Sequence, residues 1–193
     1  MTLYLRILSY LKPFLPLFAV AVGSLFLYAL FDVFSIALFI PFLRALFNPA
    51  AVAETGDSSV DRIMTDILGR VIDLDGSPED AVKGIIVVIL VAFALKNFFG
   101  FMGAYLVARV DQGVTRDMRR EVYSHLLDLD MVFFGRTRLG QIQSRLTHDV
   151  EQVRALVTKE LAKMISTTFE FIGALILMFA ISGRLTIAAF VVL

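Results

Sequence analysis

An all-α membrane protein, a bundle of apolar helices of which some continue far into the cytoplasm, is the fold class that three observations predict. Apolar residues make up 58% of the 193 residues, and mean hydropathy is +0.79, well beyond the usual share for a soluble domain. Three separate runs reach the roughly 20 predominantly apolar residues that a spanning helix needs. Charge is also partitioned along the chain, acidic in one connecting segment and basic in the next. Eighteen basic residues balance eighteen acidic ones, so no global basicity argues for nucleic acid as a partner. Cysteine is absent, which removes disulfides and thiolate metal sites, and His125 and His148 alone do not build a zinc site. Neither a catalytic constellation nor a metal site is expected.

Residues 2–11 place Leu3, Ile7 and Leu8 on one face, with Arg6 and Lys12 elsewhere. That pattern predicts a short helix lying on the inner membrane surface before Pro13 redirects the chain. The first span covers 13–46, and Asp32 is its only ionisable residue from Pro13 to Leu43. This run is too long for the apolar part of a signal peptide. An outer loop follows over 47–77, where Val60, Ile63, Met64, Ile67, Leu68, Val71 and Ile72 repeat at helical spacing and predict an amphipathic helix over 59–73. Ser77, Pro78, Glu79 and Asp80 then supply a cap, a first-turn proline and an acidic first turn.

The second span, Gly84 to Ala108, has Lys96 as its only charge and rises roughly 37 Å at 1.5 Å per residue. No breaker follows until Gly135. Val110, Val114, Met118, Val122, Leu126 and Leu129 keep a helical period among Arg116, Arg119, Arg120 and Glu121, so this helix is expected to run over 78–129 with a solvated extension. Ile142, Leu146, Val150, Val153, Leu156 and Val157 mark a second such rod leading into a third span, the whole covering 138–182. Met164 to Gly183 is interrupted only by Glu170, and a tight link at Ser182 to Arg184 opens a fourth apolar run over 185–193. A run that short ends inside a helix, so the sequence reads as the front part of a longer protein. Between Asn48 and Asp80 there are eight acidic and two basic residues, whereas Arg109 to Lys163 carries ten basic ones. The positive-inside rule therefore predicts a multi-pass membrane protein with its second connecting segment and its N-terminus in the cytoplasm.

Asp32, Lys96 and Glu170 fall at similar depth in their spans. A charge at a helix centre costs about 2.5 to 3.5 kcal/mol on insertion scales, so none of the three should face lipid. They are expected to face the bundle interior or a water-filled cavity, with Lys96 pairing one of the carboxylates, and either mark the substrate path or form a structural interhelical pair with no transport role. Gly100, Ala104 and Ala108 recur every fourth residue and would allow a second helix to approach closely.

The tip between the two rods is the most specific stretch. It reads R-R-x-V-Y-x-H-L-L-x-L-D-M-x-F-F from Arg119 to Phe134 and G-Q-I-Q-S-R-L-T-H-D-V from Gly140 to Val150. This resembles the first cytoplasmic loop of ABC exporter membrane domains, similar to bacterial lipid flippase and multidrug half-transporters. The order of surface helix, span, outer loop, long helix, tip, long helix and tight turn extends the likeness to the whole chain. The resemblance implies an exporter-type transmembrane bundle, here its first three spans and the start of the fourth. It also implies a transverse coupling helix over Asp130, Met131, Val132, Phe133, Phe134, Gly135 and Arg136, held in a groove of a nucleotide-binding domain. Phe133 and Phe134 at the end of a charged hairpin suit a partner's pocket or packing within the hairpin itself.

The chain lacks G-x-x-x-x-G-K-[ST] and any other glycine-rich phosphate cradle, so no cofactor is expected in these residues. The resemblance places ATP and Mg²⁺ on a nucleotide-binding domain, later in the chain or on another subunit, and implies a second transporter half, identical or not. The expected function is the membrane part of an ATP-driven exporter or flippase, moving a lipid or another amphipathic substrate by alternating access. The wide, aromatic and aliphatic first span resembles lipid and lipid-linked-glycan flippases of this family more than peptide exporters. The alternative is a stand-alone membrane interaction protein that uses its helical hairpin as a docking arm. A channel or secondary transporter would show an inverted repeat and broken helices, and the sequence has neither.

Overall fold

The computed structural model describes residues 9–47, 69, 78–129, 139–144, 147–148 and 150–192, and among them every regular element is helical. Most of the surface helix at 2–11, the amphipathic helix at 59–73 apart from Gly69, and the coupling segment Asp130 to Arg136 lie outside the described residues. Three helical stretches are long and apolar enough to cross a membrane, Lys12–Leu43, Val82–Leu127 and Val150–Arg184.

A 3-10 turn at Lys12–Phe14 opens the first of them, with Pro13 inside it. Helix α1 (Leu15–Ala37) stops because of Pro41. A helix continuing through Ala37 needs the N–H of residue 41, which proline lacks, and the proline ring crowds that same carbonyl. Leu38 forms a turn there, and α2 (Phe39–Phe47) carries the chain on. The sequence reading placed one span over 13–46, whereas the proline divides its helix. Helix α3 (Pro78–Leu127) is 50 residues long, a rise of about 75 Å against a hydrocarbon core of about 30 Å. The return path comprises α4 (Leu139–Ser144), α5 (Val150–Ala155), a π turn at Leu156–Glu160, and α6 (Leu161–Val192). Within α6 only Ser182 leaves the helical region (φ −161°, ψ 102°), so α6 is two helices joined without a loop.

The residues fall into two compact units. One draws on Met1–Ser24 and Phe101–Ser166, the other on Leu25–Gly100 and Thr167–Leu193. In the second unit Ala37, Leu38, Ile85 and Ala92 are buried, with Phe34, Phe42, Val88 and Leu177 packed on them. Around this small core, Leu90, Val91, Phe93, Phe98, Phe171 and Ile176 are exposed. So much bare apolar surface is unfavourable in water and is what a lipid-facing bundle requires.

In the first unit Val110, Val114 and Met118 on α3 are buried together with Val150 and Ala162. Beyond Met118 the apolar stripe is less covered: Val122 is exposed, while Leu126 and Leu129 are half-buried. The N-terminal turn docks here too: the Phe14 ring lies against the backbone of Gly113, where a Cβ has no room, and the Tyr10 hydroxyl donates to Glu121 Oε2 at 2.6 Å.

One element of the sequence reading is corrected. Leu156 belongs by period to the packed face of the second rod, yet it is 66% exposed, while Thr158 is fully buried. The inward column is Val150, Arg154, Thr158 and Ala162, spaced by four. In a pure α-helix each step of four overshoots by about 40°, and the wider π turn takes up that drift.

Candidate functional site

Of the three intramembrane charges, the structure brings Asp32 and Lys96 together. Lys96 Nζ lies 2.5 Å from Asp32 Oδ1, with side-chain exposures of 21% and 26%. The helical register makes this contact. On α1, Tyr28 and Asp32 are one turn apart, and on α3 so are Phe93, Lys96 and Gly100. A Cβ on Gly100 would sit 2.9 Å from Tyr28 Cδ2, so the glycine lets the Tyr28 ring lie on α3. The ammonium is 5.6 Å from the ring centroids of both Tyr28 and Phe93, within cation–π range. Phe31 stacks on Phe99 at 5.6 Å beside it. Among the described residues Gly100 receives the Tyr28 ring, whereas Ala104 and Ala108, expected with it to receive a helix, are exposed.

Glu170 on α6 adds its negative charge to the field at Lys96. The opposite side of α1 meets α6, where Phe26 and Phe169 pack edge to face at 5.2 Å and a Cβ on Gly173 would sit 2.7 Å from Val33 Cγ2. An apolar cavity of about 260 Å³ opens there, lined by Phe26, Leu30, Val33, Phe169, Ile172 and Ile176 among others.

A second polar cluster joins the two rods. Asp111 on α3 is 5% exposed. The Thr158 hydroxyl, with one proton to give, is 2.6 Å from Asp111 Oδ1 and 2.9 Å from the Arg154 carbonyl, and the shorter, charge-assisted contact is the stronger. Arg154 Nε is 3.4 Å from Asp111 Oδ1, a charge contact without hydrogen-bond alignment, and Lys159 Nζ is 3.9 Å from Oδ2. Thr115 donates to the Asp111 carbonyl at 2.6 Å. Two turns further along α3, Arg119 reaches Glu151 at 3.4 Å, with both side chains about half exposed.

With this geometry in view, the chain matches the model of the ABC transporter transmembrane region over residues 43–193. The chain belongs to that ABC transporter family. Among its relatives is the ATP-dependent lipid A-core flippase of Hahella chejuensis, 32% identical over 184 residues that make up 95% of this chain and 27% of that protein. The flippase of the same name from Legionella pneumophila (strain Lens) is 27% identical over 185 residues, 96% of this chain and 27% of the relative. An uncharacterized ABC transporter ATP-binding protein of Bacillus subtilis, YfiC, is 25% identical over 123 residues, 63% of this chain and 20% of the relative. The chain spans about a quarter of the length of the first of these curated relatives.

As an ABC membrane domain with three helices able to span, the chain is a multi-pass membrane protein. The bundle of long apolar helices expected from sequence is the fold observed. Family membership does not favour the stand-alone docking protein. The sequence reading missed Asp111, Arg154 and Thr158. Their signal was present, since Asp111 sits next to the buried column Val110, Val114 and Met118, and Arg154 and Thr158 fall four and eight residues after buried Val150. Phe14 and Gly113 were missed for a different reason: nothing local distinguishes a glycine that receives a distant ring.

Proposed function

We propose that these residues form the first spans of one half of an ATP-driven exporter that moves a lipid or similar amphiphile across the inner membrane, with the N-terminus in the cytoplasm. The observation that carries this reading is α3, whose 50 residues overshoot any bilayer on the basic side of the chain and pack there against a second rod. Such a pair serves no purpose within lipid and suits transmission of force from a cytoplasmic motor. Its segments are those of the sequence reading: a surface helix at 2–11, spans within 13–46, 78–129 and 138–182, an outer loop at 47–77, and the opening of a fourth span at 185–193.

Asp130 to Arg136 is the coupling helix, with Phe133 and Phe134 seated in a nucleotide-binding domain on the same chain or a separate subunit. A second transporter half completes the bundle. ATP and Mg²⁺ act on the nucleotide-binding domain, as the G-x-x-x-x-G-K-[ST] pattern does not occur in the 193 residues. Asp32 and Lys96 serve as a clasp between the first two spans, since each satisfies the other, with Glu170 close by. The names of the relatives, ATP-dependent lipid A-core flippases, and the apolar lining of the cavity between α1 and α6 favour a substrate with acyl chains.

Reconstitution of the full-length protein in vesicles holding a fluorescent lipid A-type glycolipid tests this. ATP should increase the fraction of label reaching the opposite leaflet, and Phe133→Ala with Phe134→Ala should abolish that increase. No ATP-dependent movement of any acyl-chain lipid would refute the proposal.

A further inference from the structure

Between the spans and the tip, the two rods are joined by unequal contacts. Arg119 and Glu151 form a surface pair with both partners about half exposed, and such pairs contribute little. Val110, Val114, Met118, Val150 and Ala162 are buried along the rods, and apolar burial tolerates sliding because it is non-directional. Toward the tip the stripe is only partly covered, with Val122 exposed and Leu126 and Leu129 half-buried. Among these contacts of the described residues, the Asp111 cluster is both buried and directional. Its carboxylate meets a hydroxyl at 2.6 Å and two cations at 3.4 and 3.9 Å, all from the π turn or the turn before it. A shift by one residue would take Thr158 and Arg154 away together and leave a buried carboxylate unpaired, which is strongly disfavoured. The π turn itself is what presents Thr158 inward in place of Leu156.

We propose that Asp111, with Thr158 and Arg154, is a positioning lock that fixes the register of the two rods where they enter the spans, so that displacement of the tip reaches the membrane helices instead of being lost as sliding. This rests on the exporter reading. Asp111 touches neither nucleotide nor substrate, and its effect is on how much transport each hydrolysed ATP yields.

The test uses the full-length protein with nitroxide labels on Arg119→Cys and Glu151→Cys. The described stretch has no native cysteine to compete. Thr158→Val keeps shape and removes the hydroxyl, whereas Thr158→Ser keeps the hydroxyl. With Thr158→Val the distance distribution between the labels should broaden, and lipid moved per ATP should fall about tenfold, the scale of one buried charge-assisted hydrogen bond, while ATP hydrolysis persists. Thr158→Ser should match the labelled parent in both readouts, which separates loss of the hydroxyl from a general folding defect. An unchanged distribution in Thr158→Val overturns the lock, and a broadened one with unaltered transport per ATP overturns its role in coupling. If the labelled parent moves no lipid with ATP, the exporter reading is what fails, and the label distances still decide whether the lock exists.

Discussion

Replacing Lys96 by methionine should cost far more than replacing both Lys96 and Asp32, and the size of the difference follows from the geometry. At the observed 2.5 Å, with an effective dielectric constant near 20, the attraction is about 7 kcal/mol. Placing each charge near a helix centre costs about 3 kcal/mol, so the assembled pair is worth only about 1 kcal/mol net. Lys96→Met alone leaves the Asp32 carboxylate in the span without its ammonium, a loss of about 3 kcal/mol or somewhat more. Exchanging both residues, Lys96→Met with Asp32→Leu, removes the attraction and both costs, and stability should return to within about 1 kcal/mol of the parent. Equilibrium unfolding of the full-length protein in mixed micelles, titrated with a denaturing detergent, measures the three values. A single substitution as stable as the parent, or a double substitution as damaged as the single, would refute the pairing energetics. The double variant also separates the two roles that depth alone leaves open: a clasp predicts retained lipid movement, whereas a charged station on the substrate path predicts a stable protein that transports nothing.

Further expectations concern close approaches and the tip. Gly113→Val should destabilise by about 1 to 3 kcal/mol, the range for overpacking, because its side chain displaces the Phe14 ring; Phe14→Ala in the same background should recover part of the loss, read by thermal unfolding. Gly100→Ala meets only the edge of the Tyr28 ring, so its destabilisation should stay within about 1 kcal/mol, offset in part by the better helix propensity of alanine. Phe133→Ala with Phe134→Ala should leave the unfolding midpoint of the membrane domain unchanged while weakening its binding to the nucleotide-binding domain by at least about tenfold, as loss of a buried aromatic anchor does; an unchanged affinity would place the two rings within the hairpin instead.

Much of the architecture was legible in composition and period. A spanning helix announces itself because the bilayer demands about 20 apolar residues in sequence, and that demand is local. For the same reason the rarity of ionisable residues singled out Asp32, Lys96 and Glu170, since each is costly wherever it points. Partner choice was not local: azimuth depends on packing, and where α1 meets α3 Asp32 faces Lys96 while the Tyr28 ring lies on Gly100. The break at Ala37 was readable from Pro41, although the apolar run conceals it. The π turn was not, since a sequence period read at 3.6 residues assigns Leu156 to the packed face and hides Thr158. By itself, then, the sequence determined the medium, the number of spans and their long extensions, because these follow from summed hydrophobicity and charge along the chain. Only the tertiary structure decided which carboxylate meets which cation and which hydroxyl reaches Asp111, because those depend on the rotation of one helix against another, and no single helix encodes that angle.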